Sequence, residues 1–426
     1  MPRGGWSDFA GSKMENTVKN RKQPRKSGLE LLRIVAVVLI VAHHLVCHSG
    51  YPLFDEPLSV RRLFYQMCFM PFGKVGITLF LLISLWFLVD REQTIKGACR
   101  RIWLLERELL FWGFVGLAVQ YFDAPESVTA DSWLDALFPI SRDVWWYATS
   151  YAILLLLLPF LLDGLRGIGK SNHGKCCIAM IGLWGIMNLV PGAYLDMYIN
   201  VIGFVYVAVL LTYYKWYVKP ISTRCAVWMV VIGTAVIVGW NVLISVIWKV
   251  CHADPGQITI YINPVQKEWS LPILSVSFGL FTIFSRMTFS SRFINRCAKS
   301  AFAVYLITEQ HYIRDEMLWH RIVLGNFYHS RYSLLIALAA VIVIVVVTTM
   351  LDFVRQFLFW CTIDRHKGRL FERVWHHARN VYELFVSKCT NFVVVPEKLR
   401  TLDHGRPWSD DQFASTRLSS NRDMSR

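Results

Sequence analysis

Residues Leu29 to Val46 read LELLRIVAVVLIVAHHLV, an apolar run with an arginine near its start and two histidines near its end. Runs of roughly 18 to 20 apolar residues, the length that crosses a bilayer, recur along the chain. They constrain the fold more than any other feature. In lipid every backbone polar group must be satisfied internally, which leaves helices or closed barrels. The runs are continuous rather than alternating, so helices are expected. The 426 residues are 54% hydrophobic and 14% aromatic, beyond what a soluble chain of this length carries. The expected fold class is an all-α integral membrane protein, a polytopic bundle of about ten transmembrane helices.

The apolar runs place those helices near 29–47, 75–89, 102–122, 145–162, 176–191, 197–214, 226–249, 270–285, 300–318 and 332–352. Between the first two, RRLFYQMCFMPF reads as a short interfacial or re-entrant helix, and Pro191-Gly192 reads as a tight turn. Assigning alternate loops to alternate sides gathers nearly all Lys and Arg on one side and the acidic 123–135 loop on the other. The positive-inside rule then predicts a multi-pass plasma-membrane protein with both termini cytoplasmic. The same rule accounts for the net charge of +15, so the lipid bilayer is an expected partner and nucleic acid is not. Three regions follow: a basic tail over 1–28, a membrane domain over 29–360, and a cytoplasmic segment over 361–426. Within the last, residues 367–395 mix aromatic and basic positions as an amphipathic helix on the inner leaflet does, and the chain is polar from Lys398.

Arg33 and His44 are eleven residues apart. On a helix that puts them about 20° apart on one face and roughly 16 Å apart along the axis. His43 points about 100° to the side. Ionisable groups inside a spanning helix usually face a bundle interior or a wet cavity. His44 reads either as a packing histidine bonded to another helix or as a general base in a polar cavity. Arg33 reads either as a side chain snorkelling to headgroups or as the holder of an anionic ligand, and Glu30 can pair with it. His44 and His48, at i and i+4, could share a metal, but the helix offers no nearby carboxylate. The ten cysteines show no zinc spacing, so no metal is expected. Cys47 and Cys68 sit at the ends of one outer loop, which leaves a disulfide open.

Other polar groups divide the same way. Glu309, with Gln310 and His311, interrupts the ninth expected helix. It reads as a helix-end carboxylate facing water or as the group that orients a substrate hydroxyl or His44. Trp146 and Tyr147, beside Trp145, read as an interfacial aromatic belt or as a surface for stacking a sugar. Asp352 and Arg355 are most simply an i, i+3 salt bridge.

The segment LRIVAVVLIVAHHL, with Arg33 and His44 separated by ten residues, resembles the first helix of the membrane-bound acyltransferase type 3 family. Further resemblances follow in order: GITLFLLISLWFL with Phe80 and Ser84, Arg100-Arg101-Ile102, Trp146-Tyr147, SAFAVYLIT over 300–308 and LDFVRQFLF over 351–359. Three positions depart from the family pattern: Leu85 replaces a Gly, Thr308 a His, and Ala98 an Arg.

The resemblance implies transfer of an acyl group, usually acetyl, from cytoplasmic acyl-CoA to a hydroxyl of a cell-surface polysaccharide, with a glycan or lipid-linked saccharide as acceptor. It casts His44 as the base or the acyl carrier, and Arg33 as its catalytic companion. Arg100 and Arg101 become binders of the donor's phosphates, while His43, Ser84, Trp146, Tyr147 and Glu309 become candidate substrate contacts. Acyl-CoA enters as donor substrate, with no bound cofactor. Two rival classes use the same residues: a transporter of a sugar or anion, and a ligand-binding bundle without turnover.

Overall fold

The structure, a computed structural model, describes residues 26–192, 200–252, 257–323, 325–366 and 368–390. The expected basic tail lies mostly outside these residues, and the polar stretch from Lys398 lies wholly outside them. Among the described residues every regular element is helical. The chain separates into two compact units, one up to Arg365 and one from His366.

The first unit is built around α1 (Gly28–His48) and α2 (Val60–Leu88). They lie antiparallel and so close that a methyl group on Gly76 would come within 2.5 Å of the Ala36 carbonyl oxygen. Small residues allow this approach, and in a bilayer close packing rather than the hydrophobic effect holds helices together. α1 buries Leu32, Ala36, Val37, Ile40 and Val41, and its N-terminal end is pinned by Ser27. The Ser27 hydroxyl donates to Asn295 Oδ1 at 2.8 Å and accepts from the Ser291 amide at 2.8 Å.

Around this pair stand α3 (Ile95–Asp123), the short α4 (Ala130–Leu137), α5 (Trp146–Gly167), α6 (Gly169–Met180) and α7 (Asn200–Tyr217). After them come α8 (Thr223–Val250), α9 (Leu271–Ser285), α10 (Arg292–Cys297), α11 (Ala301–Thr308) and α12 (Ser333–Cys361). α1 packs on α2, α9, α11 and α12, while α5 packs between α3 and α7.

The ten expected spans resolve into two groups. Five helices, α1, α2, α5, α8 and α12, are long and apolar enough to cross a membrane. The other five positions hold shorter or more polar helices. α3 is 29 residues long, but its first half carries Lys96, Arg100, Arg101, Glu106, Arg107 and Glu108. α6 passes into a π turn (Ile181–Ile186), α9 has 15 residues and α11 only 8. The apolar surfaces of α8 and α12 are largely uncovered by protein, as lipid-facing helices require.

Two local readings are corrected. RRLFYQMCFMPF is not a separate interfacial element: its Val60–Phe64 helix joins Met70–Leu88 through the π turn Tyr65–Phe69, giving one 29-residue span. The ninth expected helix does not run to 318 but stops at Thr308. Thr308 turns its hydroxyl back onto the Val304 carbonyl at 3.0 Å. Gln310 then starts the next helical segment by accepting the Ile313 amide on its side chain at 2.9 Å. The Gln310 side chain therefore begins a new helical segment where α11 has ended. The Pro191-Gly192 turn is present, with Gly192 at φ +78, a conformation open to glycine at little strain.

Cations collect at the end of the bundle where α1 begins: Lys215 pairs with Asp90 at 2.6 Å, and Arg286, Arg292 and Arg296 lie nearby in sequence and structure. At the opposite end Asp123, Asp131 and Asp135 are met by Arg321 and Arg142. Cys47 and Cys68 are free thiols. The second unit contains α13 (Arg369–Thr390), whose exposed Leu370, Val374, Val381 and Phe385 alternate at helical spacing with basic positions. This is the amphipathic helix expected over 367–395.

Candidate functional site

α1 sets the site. His44 is buried near its far end, and Arg33 is partly exposed near its start. His44 lines a small cavity with Phe80 of α2, Trp146 and Tyr147 of α5, and Phe302 and Tyr305 of α11. It faces protein and not lipid. Its Nδ1 lies 2.9 Å from Oε1 of Glu309, the residue that terminates α11. The approach is short but poorly aligned as a hydrogen bond, so both atoms remain without a well-directed partner. His48 Nε2, one turn beyond, lies 3.6 Å from the same carboxylate oxygen.

Glu309 closes the last turn of α11, its amide bonded to the Tyr305 carbonyl at 3.0 Å, and so stands at the helix end facing α1. Its second oxygen, Oε2, is 3.6 Å from Arg314. Arg314 also grips Asp315 at 2.6 and 2.8 Å. That hydrogen bonding holds the Asp315 carboxyl below its ordinary range, outside the spanning helices. Trp145, Trp146 and Tyr147 divide in role. Trp145 is fully buried and donates Nε1–H to the Leu306 carbonyl at 3.1 Å, which fixes α5 to α11. Trp146 and Tyr147 take the cavity.

Arg33 forms an ion pair with Glu30 at 2.8 Å. It also stands within electrostatic reach of Tyr147 and Tyr151. Tyr151, four residues after Tyr147, shares its hydroxyl with Ser84 and is near Arg101. A line of polar groups therefore descends one side of α5, from the His44 cavity to Arg33, Ser84 and Arg101. Arg101 donates to Gln93 Oε1 at 3.0 Å, while Arg100, one position along α3, is exposed. His43 is buried elsewhere, its ring against Gly73 of α2 and 3.4 Å from the Cys47 sulfur. A methyl on Gly73 would meet the His43 Cβ at 2.2 Å, so the glycine exists to admit the imidazole.

The structure thus brings His44, Glu309, Trp146 and Tyr147 together, sets Arg33, Ser84 and Arg101 along the same side, and leaves Arg100 and His43 apart. Three residues were not singled out in the sequence: Tyr151, Tyr305 and Arg314. The i, i+4 spacing of Tyr147 and Tyr151 is the one signal that could have found a member of this group. Chemically, a neutral imidazole with a carboxylate on Nδ1 carries its proton there and presents Nε2 as an acceptor.

A family model described as an acyltransferase domain, of type 3, matches residues 26–353, which contain α1 and Glu309. No curated protein and no solved structure matches the chain.

Proposed function

The chain belongs to the acyltransferase type 3 family, and from that premise we propose that it is a membrane O-acyltransferase. The acyl group, of the acetyl type, passes from acyl-CoA to a hydroxyl of a cell-surface polysaccharide or lipid-linked saccharide. The observation that carries this reading is the His44–Glu309 contact at 2.9 Å beside an aromatic cavity. Glu309 holds the proton on Nδ1, and Nε2 accepts the proton of the acceptor hydroxyl. The oxygen attacks the thioester carbonyl, the carbon–sulfur bond breaks, and the CoA thiolate takes the proton from His44. The new ester leaves with the acceptor.

The two ends of the bundle divide the substrates. Arg33 and Arg101, with the cation-rich end behind them, suit the donor's phosphates, since guanidinium forks match phosphate oxygens. Arg100, being exposed, contributes charge to the approach. Trp146 and Tyr147 offer ring faces to a sugar, and Ser84 with Tyr151 lines the route between the two tiers. His43, packed on Gly73, positions α1 and touches no substrate. In this reading the Gly28 end faces the cytoplasm and the protein resides in the plasma membrane.

Purified protein given acyl-CoA and an acceptor glycan tests the proposal. Wild type consumes acyl-CoA and esterifies the glycan, His44→Ala loses the reaction, and Arg33→Ala turns over only at raised acyl-CoA. Wild-type kinetics in both variants refutes these roles. Solute movement into vesicles without acyl-CoA consumption would establish the transporter instead.

A further inference from the structure

We propose that His44, His48 and Glu309 form a binding site for one divalent first-row cation of the zinc type, and that its occupancy switches His44 off as a base. The second half rests on the reaction assigned above to His44; the first half stands by itself.

The donor set comes first. One ligand atom from each of the three residues lies within 4.8 Å of the others. Nδ1 of His44 is 2.9 Å and Nε2 of His48 is 3.6 Å from Oε1 of Glu309. Ligand atoms around a tetrahedral zinc stand about 3.4 Å apart, given Zn–N and Zn–O bonds near 2.1 Å. Small side-chain movements therefore suffice. Two imidazoles and one carboxylate, with water in the fourth position, are an established zinc set. On the sequence alone, a metal at His44 and His48 lacked a carboxylate. Glu309, at the end of α11, supplies it from another helix.

The second observation is the state of the two atoms nearest each other. His44 Nδ1 and Glu309 Oε1 are buried and face each other at 2.9 Å, and His48 Nε2 lies 3.6 Å from the same oxygen. Three ligand atoms from two helices thus converge on one point, as a cation site requires. An ion has a way in, because the His48 side chain is 29% exposed at the end of α1. The neighbouring charges are compatible. Arg314 approaches the other oxygen, Oε2, and is itself neutralised by Asp315. Lys74, on the other side of α1, is paired with Glu268.

The switching effect follows from imidazole chemistry. A metal takes the Nδ1 lone pair, so the single proton of the neutral ring must shift from Nδ1 to Nε2. His44 then has no lone pair to accept a proton from a hydroxyl. Binding releases no acyl group and changes no oxidation state. It moves one proton between the two ring nitrogens and adds a cation at the one left free.

Full-length protein in detergent, stripped with chelator and titrated with Co²⁺, tests the site directly. The expected result is one equivalent bound, with tetrahedral visible bands and no thiolate charge-transfer band. His48→Gln and Glu309→Gln each weaken binding by about 100-fold or more, beyond what loss of an outer-sphere partner does. In wild type, Zn²⁺ also protects His44 and His48 from carbethoxylation, read by mass spectrometry, which needs no variant to fold. Absence of binding, binding unchanged in both variants, or unchanged labelling overturns the site. Zn²⁺ should stop acyl transfer and chelator restore it; Zn²⁺ bound at the site with turnover unaffected overturns the switch. If Co²⁺ binds as described while no acyl transfer is ever found, the site stands and the base role of His44 falls.

Discussion

Two buried ionic clusters sit at opposite ends of this bundle, and they are built differently. At the Gly28 end, Asp352 of α12 is wholly buried with both oxygens met: Arg355 Nε at 2.5 Å and Gln356 Nε2 at 2.7 Å. Gln356 reaches on to the Ser300 hydroxyl at 2.9 Å, and Arg355 to Glu108 at 3.1 Å. Arg355, Gln356 and Glu108 border a cavity with Phe359 and Trp360, and Asp352 lies wholly buried behind them. At the other end, Glu309 faces two imidazoles across a gap, beside aromatic rings lining a cavity. The first cluster ties α12 to α3 and to the start of α11. In the first, both Asp352 oxygens are taken up by ties between helices; in the second, the carboxylate holds an imidazole that lines a cavity, which is what a site needs.

The contrast can be broken by mutation. His44→Ala should give the largest effect, a fall in kcat of about 1000-fold, the order that a lost general base removes. Thermal unfolding in detergent should move little. Asp352→Ala should do the reverse. It leaves Arg355 buried with Glu108 as its one remaining carboxylate, a loss approaching the roughly 3–5 kcal/mol of a broken buried pair. The readout is a lower unfolding temperature or poor yield, with near-normal kcat in the surviving folded fraction. A kcat collapse in stably folded Asp352→Ala would erase the distinction between the clusters.

Smaller effects sharpen it. Glu309→Gln keeps the shape but no longer stabilises the protonated ring, so kcat should drop about 100-fold while KM for acyl-CoA is held. Arg33→Ala should instead raise KM for acyl-CoA about tenfold, since a charge-assisted phosphate contact contributes about 1.5–3 kcal/mol. Arg101→Ala should follow Arg33, and Arg100→Ala should change KM less than about twofold, as an exposed cation is screened by solvent. Equal KM effects from Arg100 and Arg101 would show that a diffuse field, not the inward line of α5, receives the donor.

The charge asymmetry of the loops and the apolar runs were legible without structure, and so was the shared face of Arg33 and His44. Each depends on one segment or on composition. The count of full-length spans was not legible, because α3 is as long as any spanning helix yet charged through its first half, and α11 ends after 8 residues. Hydrophobicity locates apolar stretches; it does not report that α11 ends at Thr308 and that Gln310 begins a new segment. For the same reason Arg314 and Tyr305 went unnoticed, each being ordinary in its own segment.

Helical periodicity acts within a chain segment, so the sequence by itself determined which residues of α1 look the same way. It also determined that this chain needs a membrane, because no folded arrangement could bury so much continuous apolar surface in water. Partnership between helices is decided by packing. Gly73 makes room for His43, Trp145 locks α5 onto α11, and the end of α11 sets Glu309 against His44. Those three contacts join residues far apart in the chain, and only the tertiary structure could set the Glu309 carboxylate 2.9 Å from His44.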